Sequence, residues 1–580
     1  MALGMQLQML VVTTCGSILG GLLAAAQYFA NHDECTRVQW TPNERENMAA
    51  PLFFLQTWCL TLQLRDEKKT SFQLQVSIFI LNCLCLLFWQ FSQFIFLTQT
   101  AIFFVMEQLK IIDLKTLCLF LHSHFGGIHM AVLLLQGNDM LKSSLYTSFF
   151  LVVSAYCLFF SSLRIKIRNR FDLAIESWLV VLRIAIAICS SIYLKKVISN
   201  FLEVEEDTHV WELLYSKLTN YKSFHTLIYT CSDVFNVLPL NSLVKMFESL
   251  LIPFVILSMV NVSGDWIRSG YLRAQKFYER VEKPVILKKP KTDENCDDSG
   301  IENKTDSKKN VDLNSLDVTV QEKDNLIDDH WLFYLKNVYV DAAIFYNISQ
   351  MVVFGLMAAL VMRLKLLFST QMCIVSSLML GTRYGPRHKT SRLSRWGFWI
   401  IAILIIIHKL CINLTDEFSK IGVFTNIPQE QLLQWIQDET SPNAAFAGSL
   451  PISASVMLST RRPIVAHPHY EHKDARDRAY AVYKAYGRFT SKELYQELTK
   501  LKATYLIIEY NLCYDPFKNR CTLAMIWDIE KPSLASNPKL CHKLITENTE
   551  HFYRVFSNGH YVVFRIHDLS VRYMPRCFDT

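Results

Sequence analysis

Charge is what this sequence is short of. Only 19% of its 580 residues are Asp, Glu, Lys or Arg, while 51% are hydrophobic and gathered in long blocks. A soluble chain of ordinary composition carries about a quarter charged residues, so that class is excluded. Also missing are a phosphate-cradling P-loop, a Gly-x-Ser-x-Gly nucleophile turn and Cys or His at zinc-ligand spacing. Nucleotide hydrolysis, serine hydrolysis and a bound metal therefore lack their usual signatures. No basic stretch precedes the first apolar run, which is long enough to span rather than to be a cleaved leader. Paired interrupted helices and internal repeats, the marks of many transporters, are absent too.

What is present is a series of apolar runs. A bilayer core takes about 17–25 apolar residues per helix. Runs of this kind occupy 5–30, 49–64, 73–89, 91–107, 115–136, 143–163, 174–196, 249–263, 337–361, 365–381 and 396–413. They predict a polytopic α-helical membrane protein of about eleven spans. Lys and Arg collect in "LRDEKKTS" (Arg65, Lys68, Lys69), in "RIKIRNRFD" (Arg164, Lys166, Arg168, Arg170) and in "TRYGPRHKTSRLSR" (Arg383, Arg387, Lys389, Arg392, Arg395). Alternation puts all three on one side, the cytoplasmic one by the positive-inside rule; Lys195 and Lys196 fall opposite. Loops 31–48 and 197–248 and the tail after 414 then share the lumenal or extracellular face. Positive loops account for the net charge of +7, which calls for no nucleic-acid partner.

The expected organisation is a membrane domain over 1–413 and a soluble α/β domain over 414–580. Residues 284–330, with "PKTDENCDDSGIENKTDSKKN", are polar, charge-mixed and poor in aromatics, and predict a disordered cytoplasmic loop. The sequon at Asn303 falls in it, whereas the sequon at Asn413 faces the other side close to the membrane. In the tail, "PQEQLLQWIQDET" has helical spacing and "AAFAGSLPISASVMLST" reads as strand, Gly turn and helix. "SKELYQELTKLKATYLIIEYN" is a capped helix followed by a strand, and "HFYRVFSNGHYVVFRI" is a hairpin turned at Asn-Gly. The Gly-Ser turn reads as packing rather than as a nucleotide loop. Cys513 and Cys521 in "CYDPFKNRC" are spaced as a disulfide-closed hairpin and are expected to pair. Cys541 and Cys577 lie in the same tail, and sequence alone does not fix the connectivity.

Three clusters carry polar groups where a plain membrane protein needs few. "NHDECTRVQWTPNEREN", 31–47, sets Asp33, Glu34, Arg37, Glu44, Arg45 and Glu46 around Trp40; on its own it is a solvated turn with local ion pairs. Arg363 and Lys365 in "VMRLKLLF" stand at the lumenal end of a span, either as snorkelling side chains or as an anion site. "HPHYE" holds His467, His469, Tyr470 and Glu471 beside Arg461 and Arg462. Its two His have no third ligand at metal spacing, so a structural or acceptor-facing role is expected.

"ECTRVQWTPNERE", "YTCSDVF", "VMRLKLLFSTQMC", "FAGSLPISASVMLST", "RPIVAHPHYE" and "IWDIEKPSLASNP" together resemble, in order and along essentially the whole chain, the dumpy-nineteen family of protein C-mannosyltransferases. The resemblance implies a GT-C type glycosyltransferase of the endoplasmic reticulum membrane, with the nuclear envelope as a further location. It implies mannose transfer from dolichyl-phosphate-mannose, a membrane lipid, to the indole C2 of tryptophan in W-x-x-W motifs of secretory proteins such as thrombospondin repeats, without a cofactor. It assigns Arg37, with Trp40, Arg45 and Glu46 in support, to the acceptor; for the donor phosphate, Arg363 and Lys365 at the lumenal end of their span are the best candidates. The family's catalytic carboxylate sits in an earlier lumenal loop flanked by two spans, so it is expected before Met1, in a part the chain lacks. The family's acids after "YTC" are replaced by Val234 and Asn236, its "WTPPLRE" reads "WTPNERE", and its His after "RLKLF" is Gln371. The alternative these departures raise is a catalytically silent membrane scaffold of the same fold.

Overall fold

The computed structural model describes residues 16–36, 45–65, 72–162, 164, 165, 167, 169–204, 212, 215–217, 219, 222–230, 237–282, 338–381, 392–420, 425–468, 473–514 and 522–566. Two compact units divide the chain. One takes Met1–Lys196, Lys245–Val353 and Ser369–Asn413; the other takes Val197–Val244, Phe354–Phe368 and Leu414–Thr580.

Helices form in every apolar run, because a backbone removed from water must satisfy its own N–H and C=O groups. They are Ile18–Ala30, Arg45–Arg65, Phe72–Phe88, Ser92–Gln108, Leu114–Leu134, Leu145–Ala155, Arg170–Phe201, Leu251–Glu282, Ala342–Leu360, Lys365–Ser376 and Arg392–Ser419. Among the described residues, seven stretches are long and apolar enough to cross a membrane: Leu114–Leu134, Asp139–Phe160, Arg170–Phe201, Leu251–Gln275, Ala342–Leu360, Met362–Leu380 and Gly397–Ser419. The expected count of eleven is therefore not reached by length and composition. Ile18–Ala30 and Phe72–Phe88 are apolar but short. Arg45–Arg65 and Ser92–Gln108 spend positions on Gln56, Thr57, Thr61, Gln63, Gln93, Gln99 and Gln108, all buried.

Two of those amides, Gln56 and Gln99, are paired across helices. Gln56 Nε2 donates to Asn82 Oδ1 at 2.9 Å and to Gln99 Oε1 at 3.0 Å. Gln99 Nε2 returns a bond to Gln56 Oε1 at 2.9 Å and reaches the Tyr346 hydroxyl at 2.8 Å. Such bonds hold helices together where the hydrophobic effect between them is weak, at about 0.6–2 kcal/mol each. Close backbone approach adds to this: a Cβ on Gly126 would stand 2.7 Å from Phe79 Cδ2, and one on Gly127 2.8 Å from Asn82 Cβ.

The tail is an α/β fold, as its sequence predicts. A four-stranded sheet runs in the order β1-β2-β4-β3, with β1 Phe446–Ala447, β2 Tyr505–Glu509, β3 Phe552–Ser557 and β4 Tyr561–Ile566. β1 is parallel to β2; β2 and β3 are both antiparallel to β4. The helices Ile427–Glu439, Leu450–Thr460 and Ser491–Lys500 fall where expected, the last with a capping box between Thr490 and Glu493. Trp527, 2% exposed, centres the larger core; its indole N–H donates to the Tyr483 carbonyl at 3.0 Å. Phe224, from the segment after residue 197, lies 4.4 Å from it between ring centroids. The Phe224 N–H donates to Glu530 Oε2 at 3.0 Å. Burying a side chain of that size is worth about 1.5–3 kcal/mol, enough to hold the short helix Phe224–Thr230 on the tail.

Candidate functional site

Loop 31–48 begins at a firm base. Asn31 ends the helix Ile18–Ala30 by donating its side-chain amide to the Gln27 carbonyl at 2.8 Å, and its Oδ1 accepts from Ser249 Oγ at 2.7 Å. Asn413 donates its side-chain amide to the Ala30 carbonyl next door, so the amide of that sequon is committed inside the protein. The single turn His32–Cys35 follows, with Glu34 4% exposed and its carbonyl accepting from Ser369 Oγ at 2.7 Å. Asp33 faces Lys245 at 3.6 Å. Arg37, Trp40 and Glu44 lie outside the described residues. At the far end Arg45 opens the helix Arg45–Arg65 and is exposed, whereas Glu46 is 2% exposed. A buried carboxylate needs partners, and Glu34 and Glu46 both have them. The loop therefore carries buried acids at both ends, which a merely solvated turn does not require.

Arg363 and Lys365 sit at a break in the helical run. The helix Ala342–Leu360 stops, Val361 turns extended at φ −138°, a short 3₁₀ turn Met362–Leu364 follows, and Lys365 starts the next helix. Cations at a helix N-terminus oppose its dipole, whereas an anion there is favoured by both the dipole and the cations. Both side chains are half-exposed. An anionic group is what this arrangement suits.

The tail cluster is divided. His467 is half-buried and has partners, while His469, Tyr470 and Glu471 lie outside the described residues. Neighbouring Arg462 is structural: its guanidinium donates to the Thr440 carbonyl at 2.9 Å, the Gln437 carbonyl at 3.2 Å, the Thr460 carbonyl at 3.3 Å and Thr440 Oγ1 at 3.4 Å. It thereby caps the end of the helix Ile427–Glu439. The expected Cys513–Cys521 disulfide is corrected: Cys513 is bonded to Cys541, with Cα atoms 5.9 Å apart. The helices Tyr510–Tyr514 and Leu540–Thr546 bring these two buried sulfurs into one core. Cys521 lies outside the described residues.

Sequence reasoning missed a carboxylate in this tail. Glu509 ends β2 and accepts from Ser449 Oγ, so Ser449 does not cap the helix Leu450–Thr460 with its side chain. Burial pushes the Glu509 carboxyl above its ordinary value, and the Ser449 bond offsets part of that rise. The Tyr486 hydroxyl accepts from the Glu509 N–H at 3.1 Å, and the Tyr483 hydroxyl from the Leu450 N–H at 3.2 Å. Burial pushes the Tyr483 hydroxyl up to about 12. Gly448 is a packing turn, as expected: a Cβ there would meet Ile452 Cγ2 at 2.9 Å.

The family model described as "Dpy19: Q-cell neuroblast polarisation" matches residues 3–566. The chain belongs to the Dpy19 family. It is 31% identical over 554 residues to the Homo sapiens "Protein C-mannosyl-transferase DPY19L1", covering 95% of this chain and 73% of that one. It is 30% identical to the Homo sapiens "Probable C-mannosyltransferase DPY19L2", covering 95% of this chain and 64% of that one. To the Caenorhabditis elegans "C-mannosyltransferase dpy-19" it is 29% identical, covering 91% of this chain and 68% of that one. Among solved structures, the apo Archaeoglobus fulgidus oligosaccharyltransferase is similar at 13% identity and a TM-score of 0.47, covering 88% of this chain and 57% of that one. The relatives' names put the Dpy19 family among the glycosyltransferases, and this chain with it; its apolar helices make it a membrane protein.

Within this Dpy19 member, Gln371, which stands where the resemblance calls for His, is fully buried. Its amide donates to Asn347 Oδ1 at 3.0 Å and to the Asn347 carbonyl at 3.2 Å; Asn347 in turn donates to Thr61 Oγ1 at 3.2 Å. Gln371 is thus part of the interior polar bonding. Val234 and Asn236 lie outside the described residues.

Proposed function

We propose that this Dpy19 member is a multi-pass GT-C glycosyltransferase of the endoplasmic reticulum membrane that transfers mannose from dolichyl-phosphate-mannose to the indole C2 of tryptophan in W-x-x-W motifs of secretory proteins. Loop 31–48, the segment 197–248 and the tail then face the lumen. The observation that carries the reading is the kinship, over 95% of the chain, with a protein named for C-mannosyl transfer.

The chemistry agrees with the residues. The bond from the sugar's anomeric carbon to phosphate oxygen breaks, a bond from that carbon to indole C2 forms, and the C2 proton leaves to a base. Donor and acceptor alone balance this reaction, so it consumes no redox or group-carrying cofactor. Arg363 and Lys365 at a helix start offer the departing phosphate a positive field. Arg37 is assigned to the acceptor: a guanidinium stacks on an indole face or donates in a fixed fork, which an ammonium does poorly. Buried Glu46 and exposed Arg45 support that loop from its far end.

The test is expression of the full-length protein with a thrombospondin-repeat acceptor in cells lacking C-mannosylation, followed by mass spectrometry of the tryptophans. A hexose on tryptophan is expected. Full membrane insertion and abundance with no added hexose would instead establish the silent scaffold.

A further inference from the structure

The base of loop 31–48 is fastened to the helix Lys365–Ser376 at two successive points. At the first, Ser369 Oγ donates to the Glu34 carbonyl at 2.7 Å. One residue along the loop and one helical turn along the helix, the Cys35 and Cys373 thiols are hydrogen-bonding partners. Both are fully buried, and neither is bonded to another cysteine in the structure. Buried cysteines of membrane helices are ordinarily small apolar fillers; these two face each other in a register that the Ser369 bond holds.

We propose that Cys35 and Cys373 are a disulfide-forming site that, once oxidised, staples the base of loop 31–48 to the helix Lys365–Ser376. The oxidant is a small or protein disulfide acting by thiol–disulfide exchange. With glutathione disulfide, one cysteine thiolate attacks and forms a mixed disulfide, expelling one glutathione thiolate. The other cysteine thiolate then attacks that mixed disulfide and expels the second. One protein disulfide forms, one glutathione disulfide is consumed, and the two cysteine protons end on two glutathione thiols. Since both sulfurs are sealed from water, exchange in the folded chain requires the loop base to part from the helix, so its rate reports that opening. That an oxidant meets the pair in the cell rests on the lumenal placement proposed above; that the two sulfurs can pair does not.

A second thiol pair provides the contrast. Cys157 hydrogen-bonds Cys118, and by the alternation of spans that pair lies toward the reducing, cytoplasmic side. Cells expressing the full chain are divided: one half is lysed into N-ethylmaleimide and the protein purified, while from the other half the protein is purified without alkylation, reduced, equilibrated with glutathione disulfide and only then alkylated. Non-reducing digests of both halves are mapped. A Cys35–Cys373 cross-linked peptide in either half, absent from Cys373→Ser and retained in Cys118→Ser, is the expected result. Both cysteines alkylated in the first half and still unlinked after glutathione disulfide would overturn the proposal. The Cys513–Cys541 peptide in the untreated half tests the lumenal placement separately, because the tail forms it only on the oxidising side.

Discussion

Gln371 gives its side-chain amide to both the Oδ1 and the main-chain carbonyl of Asn347, at 3.0 and 3.2 Å, inside the helical unit. The residue that departs from the family pattern is therefore built into the protein's own hydrogen bonds. Replacing it by an apolar residue leaves Asn347 Oδ1 without its donor, although it also removes the unpaired Gln371 Oε1. Gln371→Leu is expected to lower stability by about 1 kcal/mol, and the double variant with Asn347→Leu to recover part of it, since removing both partners costs less than removing one. Thermal melting of the detergent-solubilised chain measures both. If the single variant melts like the parent, the pair contributes nothing to the fold.

The Cys513–Cys541 bond closes a separation of 28 residues. In the chain-entropy picture a loop of that size is worth about 3–4 kcal/mol. Cys541→Ser should lose that stability and expose Cys513 to alkylation without reductant, whereas Cys521→Ser should leave the melting temperature unchanged. A loss with Cys521→Ser equal to that with Cys541→Ser would restore the shorter hairpin pairing.

The contrast between these two cysteine assignments shows what the sequence makes legible. The hairpin at Asn558-Gly559 and the capped helix after Thr490 depend on neighbours in sequence, and both form as read. The disulfide partner depends on two short helices packing together across an intervening stretch, which no local spacing encodes. Gln56 and Gln99 carry no local signal of their role, because their meaning is the amide on the facing helix. Arg462 and Arg363 look alike in sequence, yet one is spent on helix-end carbonyls and the other marks a break between helices.

Glu509 gives the tail a pH dependence whose sign follows from its environment. Burial raises its folded pKa above the ordinary 4.5, so the folded chain holds that proton more tightly than the unfolded chain does. Stability from this group is fully present below the ordinary value and is lost as pH rises through the raised one. Glu509→Gln keeps an oxygen to accept from Ser449 without the buried charge. The variant should melt higher than the parent at neutral pH and should lack the parent's decline above the ordinary carboxylate range. Melting curves of both proteins across that range decide it; parallel curves would mean that Glu509 titrates as it does when unfolded.

Two arginines separate transfer from folding. Arg363 stands at the start of the helix Lys365–Ser376, where its positive charge suits an anion, and it is proposed to meet the donor phosphate. Arg462 holds the carbonyls of Gln437, Thr440 and Thr460. Removing a charge-assisted contact to a bound phosphate costs roughly 1.5–3 kcal/mol, so Arg363→Gln should lower transfer about ten- to a hundred-fold while the melting temperature stays near the parent's. Arg462→Gln should do the reverse: it frees helix-end carbonyls, lowers stability by about 1–3 kcal/mol, and leaves transfer per folded molecule intact. Initial rates with an acceptor peptide at matched folded protein, together with melting curves, resolve the pair. Raising donor concentration should restore part of the Arg363→Gln rate, because the missing contact is to the donor. A rate equal to the parent's for Arg363→Gln, at every donor concentration, would remove this arginine from the donor site and leave the helix break as a structural feature alone.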